Sequence, residues 1–566
     1  MRIVPFIAAL SLCSSVAASA ETADKNALPS LNIETDTTYY GDYLAARFAA
    51  NHHDLPEAAK FYSVSLDHDP TNPQLLTFAF FFAATAGEID DAADLAKRVV
   101  VNTPDDRVGR LTLAVAAMKH GQYKAARAQI AKSAKGPFAL FTVALLDAWA
   151  ATGMGDAAGA AADMKILHAL PTADGLAYFN EALIAEYLGR PEAAEAAYKL
   201  GLQSVGPTPR VIDAYGRFLE RNGRSKEAGE IYQKLASDNA FGPIAKAGLA
   251  RIAAGQKPDP LMRRPEEGAA EALFGIAASL NDDNNRDISI LYLRLALYLQ
   301  PDLDLAKLLL ADRFEAIERY EDAIAAYHSV DKASPFYRLA GVEVAIDELR
   351  LEKTDDAIAD LQAILAAYPD AGETWAAMGD AYRQAKKYPE ATKAYTQAIQ
   401  AAGTPTKKNW QLFFARAFVE QQANDWNAAE ADLQQALVLS PDQPEVLNFL
   451  GYSWVDQRRN IKQAVAMLEK ARALSPRDGY IIDSVGWAYY QLGRYGDAAK
   501  TLEQAIRIEP GDPTINDHLG DAYWKTGRRI DARFQWSHAI AFGAEAGEKS
   551  KIEKKLESGL NGDHRS

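Results

Sequence analysis

The sequence predicts an all-α chain: about fourteen helix–turn–helix units stacked one on the next into a solenoid. Three observations predict it. First, an alanine recurs every 34 residues, at Ala58, Ala92, Ala126, Ala160, Ala194 and Ala228. The ladder then jumps 61 residues, one repeat plus 27, and resumes at Ser289, Ala323, Ala357 and Ala391. Steps of 38 and 35 lead to Ala429 and Ala464, and Ala498 and Ala532 complete it. Second, a small residue often stands twelve places before the mark and a large one four places after. Gly216, Gly379, Gly486 and Gly520 are examples of the first, and Tyr232, Tyr395, Leu502 and Trp536 of the second. Third, prolines hold the same phase: Pro301, Pro335 and Pro369, then Pro441, Pro476 and Pro510. Self-similarity at a fixed period of this length means a repeat array.

The spacing has a simple physical reading. Small residues at facing positions let two helix backbones approach, and the large residues fill the space between one pair and the next. Proline closes the second helix, because it cannot continue the hydrogen-bond ladder and disfavours helix in its predecessor. Gly479 to Glu509 is the clearest unit. Ile482, Val485, Gly486 and Tyr489 lie on its first helix, Gly493 suits the turn, and Ala498, Leu502 and Ala505 follow at helical spacing.

Taken in order, residues 1–20 (MRIVPFIAALSLCSSVAASA) predict a secretory signal. Arg2 gives the positive start, Ile3 to Leu12 the apolar core, and Ala18-Ser19-Ala20 the cleavage site. Leu12 before Cys13 argues against a lipid-bearing cysteine. Residues 21–38 are polar and predict a flexible leader. Residues 39–242 hold six units. Residues 243–269 are expected to form an extra helix and a linker rich in proline, with Pro258, Pro260 and Pro265 in eight residues. Residues 270–546 hold eight more units. Residues 547–566 predict a capping helix and tail, with lysines interleaved among glutamates.

Composition narrows the function. The chain has 566 residues and a net charge of −15, with 48% hydrophobic residues. That apolar fraction excludes a disordered chain, and the acidic balance argues against nucleic acid as a partner. One cysteine, Cys13, allows no disulfide framework and no Cys-based zinc site. No uninterrupted apolar run is long enough to predict a transmembrane segment. The order of compartments this favours is a Gram-negative periplasm, reached by a cleaved signal and without a lipid anchor.

No catalytic chemistry is legible. H-E-x-x-H, G-x-S-x-G, Walker A and dinucleotide-binding glycine patterns are all absent. Asn281 to Asp287 is rich in calcium-type ligands but lacks the turn glycine and the closing glutamate, and it falls where an inter-helix turn belongs. The sequence therefore predicts no catalytic residue, no cofactor and no metal ligand set.

A 34-residue helix–turn–helix with small, large, alanine and proline marks at these offsets resembles the tetratricopeptide repeat. The resemblance covers Tyr39 to about Ala546. It implies a right-handed superhelix whose first helices line a concave groove, and a non-enzymatic scaffold that grips extended polypeptides. The inward positions it implies in the last three units include Asn448, Tyr452 and Asp456; Tyr480, Asp483, Trp487 and Tyr490; and Asp517, Asp521 and Trp524. Aromatic anchors among acids suit a basic or apolar partner segment. Packing between helices is the alternative role at each position.

A narrower resemblance rests on Pro444 to Asp456, on Asp483-Ser-Val-Gly-Trp487 and on His518-Leu-Gly-Asp521. These segments look like a proteobacterial family of secreted envelope proteins. That family is similar to the lipoprotein partner that activates a carboxyl-terminal-processing protease and brings it cell-wall hydrolases. The resemblance implies an adaptor between a periplasmic protease and peptidoglycan hydrolases. A structural or assembly factor for outer-membrane, secretion or exopolysaccharide machinery is the other expectation.

Overall fold

The structure is a computed structural model. It describes residues 39–560, apart from short stretches at 135–136, 171–173, 206–207, 237–241 and 281–284. The signal and leader expected at 1–38, and most of the Asn281–Asp287 turn, lie outside the described residues.

Thirty α-helices and no strands occur among the described residues. They alternate as the period requires, from Tyr39–Asn51 and Leu55–His68 to Pro513–Lys525 and Arg529–Ala541. The marked alanines explain the spacing. Ala58, Ala92, Ala323, Ala391, Ala498 and Ala532 have no exposed surface. Ser289, which takes the alanine place in its unit, is equally buried, and its hydroxyl donates to the Ala277 carbonyl at 3.0 Å.

The small and large marks meet face to face. A Cβ on Gly216 would lie 2.4 Å from Tyr232, on Gly379 2.6 Å from Tyr395, and on Gly520 2.5 Å from Trp536. No side chain fits at such distances, so glycine sets how closely each helix pair packs.

Each turn needs one residue in the left-handed region. Gly87, Gly121, Gly155, Gly189 and Gly223 supply it at 34-residue steps. Glu318, Glu352, Lys386 and Asn424 take the same place with φ between 57° and 64°, at a steric cost that glycine avoids. Side chains cap many first helices: Asp478 accepts from the Ile481 amide at 3.0 Å and Asp512 from the Ile515 amide at 2.8 Å.

The chain forms two compact units that divide between residues 364 and 365. The division does not fall in the segment 243–269, which lies wholly inside the first unit. That segment contributes a helix, Gly242–Ala253, and then a bend before the next helix, Pro265–Ser279.

The first unit contains its own occupant. Helices Pro265–Ser279 and Arg286–Leu299 form a hairpin that returns onto the earlier pairs. Gly268 comes so close to the fully buried Trp149 that a Cβ would lie 2.3 Å from its ring. Tyr123 donates to Glu266 at 2.8 Å, Arg210 forks onto the buried Glu271, and the hydroxyls of Thr142 and Tyr292 are 2.8 Å apart. Arg319 pairs with Asp54 at 3.0 Å, joining residues 265 apart in sequence. Small residues make this docking possible: Gly268, Ala269, Ala270 and Ala272 are all buried.

Candidate protein-binding groove

The hairpin covers first helices of the early pairs, so the inner face that remains to be considered is in the second unit. Its last three pairs begin with the helices Pro444–Asp456, Gly479–Gln491 and Pro513–Lys525. Each starts at a prolyl or aspartate-capped end, and this fixes which side chains turn inward.

A stack of three rings crosses from one pair to the next. The Trp487 indole lies 4.8 Å from the Tyr490 ring, tilted by 7°, and 4.0 Å from the His518 imidazole, tilted by 13°. Trp487 is half-buried, and its indole N–H, though buried, has no hydrogen-bond partner among the described residues. His518 Nδ1 lies 3.0 and 3.1 Å from the two carboxylate oxygens of the buried Asp483. Burial alone would lower the His518 pKa. The Asp483 charge and hydrogen bond, with Asp517 and Asp521 behind them, hold it above the ordinary value instead.

On the preceding first helix, Asn448 and Tyr452 are half-buried and Asp456 is exposed. The Asn448 Oδ1 is a buried acceptor without a partner among the described residues. Burial, then Asp483, Asp456 and Glu548, push the Tyr452 hydroxyl up, so it stays a protonated donor. Tyr480 is 38% exposed at the start of its helix. Together these residues offer half-buried aromatic rings and an exposed Asp456 carboxylate, with one buried donor and one buried acceptor left without partners among the described residues.

The remaining predicted groove residues serve the fold. Helix Ala546–Ser558 covers the last pair. Its Lys555 Nζ lies 2.8 Å from both oxygens of Asp517 and 2.9 Å from Asp521. Burial alone would lower the Lys555 pKa, but Asp521 and Asp517 outweigh it and hold the ammonium charged. Asp521 also accepts from the indole N–H of the buried Trp536 at 2.9 Å. Trp524, only 8% exposed, packs against Trp536 and against Gly559, where a Cβ would lie 2.0 Å from its ring. Asp517, Asp521 and Trp524 therefore seal the end of the array, and Asp483 holds His518. His518 and Lys555 were not among the expected residues. Sequence gave only a weak signal for them: His518 falls within the quoted His518-Leu-Gly-Asp521 segment, and Lys555 is one of several lysines in the tail.

The family described as tetratricopeptide repeat matches residues 344–404 and 414–479, and that described as TPR repeat matches residues 486–527. These stretches carry the Gly379–Tyr395 contact and the Trp487, Tyr490 and His518 rings described above. These stretches are similar to tetratricopeptide repeats. A stretch of 104 residues of this chain is 33% identical to the TPR repeat-containing protein PA4667 of Pseudomonas aeruginosa. It covers 18% of each chain, so the match spans about a fifth of that relative's length. Among solved structures, the APC/C hetero-tetramer Cut9–Hcn1 matches at 14% identity over 92% of this chain and 96% of that one, with a TM-score of 0.38. A tetratricopeptide repeat protein from Parabacteroides merdae matches at 13% identity over 45% and 97%, with a TM-score of 0.36. A MamA structure matches at 23% identity over 33% and 96%, with a TM-score of 0.26. None of the helices among the described residues is long and apolar enough to cross a membrane.

Proposed function

We propose that the chain is a non-enzymatic scaffold that holds a protein segment in the groove of its second unit. One observation carries this reading: the half-buried rings of Tyr490 and Trp487, stacked on the buried His518 imidazole. Aromatic rings held rigid by packing bind at low entropic cost and form interface hot spots. Asp456 and the acids around the stack favour a segment with an apolar side chain flanked by lysine or arginine. The first unit's inner face is already engaged by residues 265–299, so the two units take different roles.

The finer reading is an envelope adaptor. Its support is the signal-like N-terminus and the resemblance of residues 444–521 to envelope repeat proteins. On this reading the chain is periplasmic and delivers cell-wall hydrolases to a carboxyl-terminal-processing protease, raising the local concentration of client at protease. The test is reconstitution. Protease and hydrolase are mixed with the full chain or with Trp487→Ala, and hydrolase breakdown is followed. Faster breakdown with the full chain and not with the variant is expected. If neither protein binds and outer-membrane, secretion or exopolysaccharide components are recovered from envelope extract instead, the adaptor reading fails and the assembly-factor reading replaces it. N-terminal sequencing of the chain from fractionated cells tests the compartment.

A further inference from the structure

The contact between successive pairs takes one form near the end of the array and another in the middle. In the last units, the residue nine places before the marked alanine is a tyrosine. It donates to a glutamate five places after the previous mark: Tyr489 to Glu469 at 2.6 Å, and Tyr523 to Glu503 at 2.8 Å. At the junction marked by Ala323 and Ala357, those two places hold His328 and Glu348. A neutral donor on a carboxylate has become a carboxylate facing an imidazole. A third group joins them from the next helix: His328 Nε2 lies 3.8 Å from the Asp360 carboxylate. One nitrogen or oxygen from each of His328, Glu348 and Asp360 falls within a span of 4.8 Å.

We propose that His328, Glu348 and Asp360 bind a divalent transition-metal ion of the zinc type. Glu348 is the anchor. It is only 7% exposed, and its Oε2 is buried with no hydrogen-bond partner among the described residues. Burial of an unpartnered carboxylate is costly, and a cation removes that cost. Its charged neighbours do not balance it, since Asp360 and Asp356 oppose the charge and Lys353 alone favours it. One imidazole and two carboxylates suit zinc-type ions rather than magnesium or calcium, which favour oxygen alone.

The geometry requires a modest closure. Tetrahedral zinc holds nitrogen and oxygen ligands at about 2.0–2.2 Å, which places them roughly 3.3 Å apart. The His328 and Asp360 side chains are 54% and 40% exposed, so both can rotate toward the fixed Glu348. The ligands come from three helices, Tyr320–His328, Tyr337–Arg350 and Thr354–Ala367. A bound ion therefore clips two successive pairs together, with water in the fourth position.

The experiment is zinc titration of the untagged full chain after chelator treatment, by calorimetry and by the visible absorption of cobalt in zinc's place. One equivalent is expected above any weak uptake by the other histidines. Glu348→Gln and Asp360→Asn should each weaken that equivalent at least tenfold, since even outer-shell changes cost about ten- to hundredfold. Asp360 is exposed enough that Asp360→Asn keeps the fold, as circular dichroism will show. The double change His328→Glu with Glu348→Tyr restores the pairing of the later units and should fold and bind no zinc there. Equal uptake and affinity in wild type, Glu348→Gln and Asp360→Asn would overturn the site, as would no uptake at micromolar zinc.

Discussion

The His518 imidazole lies flat on the Trp487 indole, with 4.0 Å between ring centres, while its Nδ1 is held 3.0 Å from Asp483. One carboxylate thereby orients the ring that supports the groove's main aromatic surface. A charged imidazole under an indole face adds a cation–π attraction to the stacking.

That arrangement separates two tryptophans that the sequence placed alike among the inward positions. Trp487→Ala should leave helicity intact and weaken partner binding by about 2 kcal/mol or more, roughly thirtyfold. Trp524→Ala should instead cost about 3–5 kcal/mol of stability, because it opens a cavity under the terminal helix. Thermal melting and binding of each variant check both. Equal melting temperatures would refute the division of labour.

The His518 pair also gives a pH dependence. Its folded pKa lies above 6.5. The stabilisation is therefore complete below pH 6.5 and is lost as pH rises through the folded value. His518→Gln removes the titration. The melting-temperature gap between wild type and variant should be widest near pH 6 and narrow toward pH 9, by about 2–4 °C per kcal/mol. A gap that widens with rising pH would contradict the assignment.

Glu420 has the opposite chemistry with the same sign. Burial, then Asp432, push its carboxyl up to about 7, and its Oε2 is buried without a partner among the described residues. A raised carboxyl pKa stabilises the fold in acid and stops doing so as pH climbs past 7. Glu420→Gln should raise the melting temperature at pH 8, by the equivalent of about 1 kcal/mol, and change it little at pH 5. Melting curves at both pH values decide.

The docked hairpin is tested at Gly268. A Cβ there meets the Trp149 ring at 2.3 Å, so Gly268→Leu should cost about 1–3 kcal/mol or more through overpacking. Hydrogen exchange should rise in 265–299 and leave 444–525 unchanged. Uniform protection across both segments would show that the hairpin does not depend on this contact.

These tests trace the boundary of what sequence could reveal. The pairs were legible because each mark and its partner lie close in sequence. Gly486 meets Leu502 and Gly520 meets Trp536, both sixteen residues on, and the offset repeats. The hairpin was not, because periodicity treats it as a seventh unit with Ser289 on the ladder. Its place is set by meetings such as Gly268 with Trp149 and Arg294 with the Thr85 carbonyl, which recur nowhere. In the groove, an aromatic at an inward position looks the same whether or not a later helix covers it. Lys555, between Asp517 and Asp521, is what removes Trp524's half of the surface.

The bridge from Asp54 to Arg319 has a consequence for synthesis. The two residues are 265 positions apart, so at the usual pace of translation roughly 13–50 s separate their appearance. For most of that interval the early pairs exist without the hairpin that later lines them. Non-local closure of this kind slows folding relative to a stack built from neighbours alone. The nascent first unit thus presents a temporary apolar surface, and its most vulnerable moment comes before residue 299 has been added.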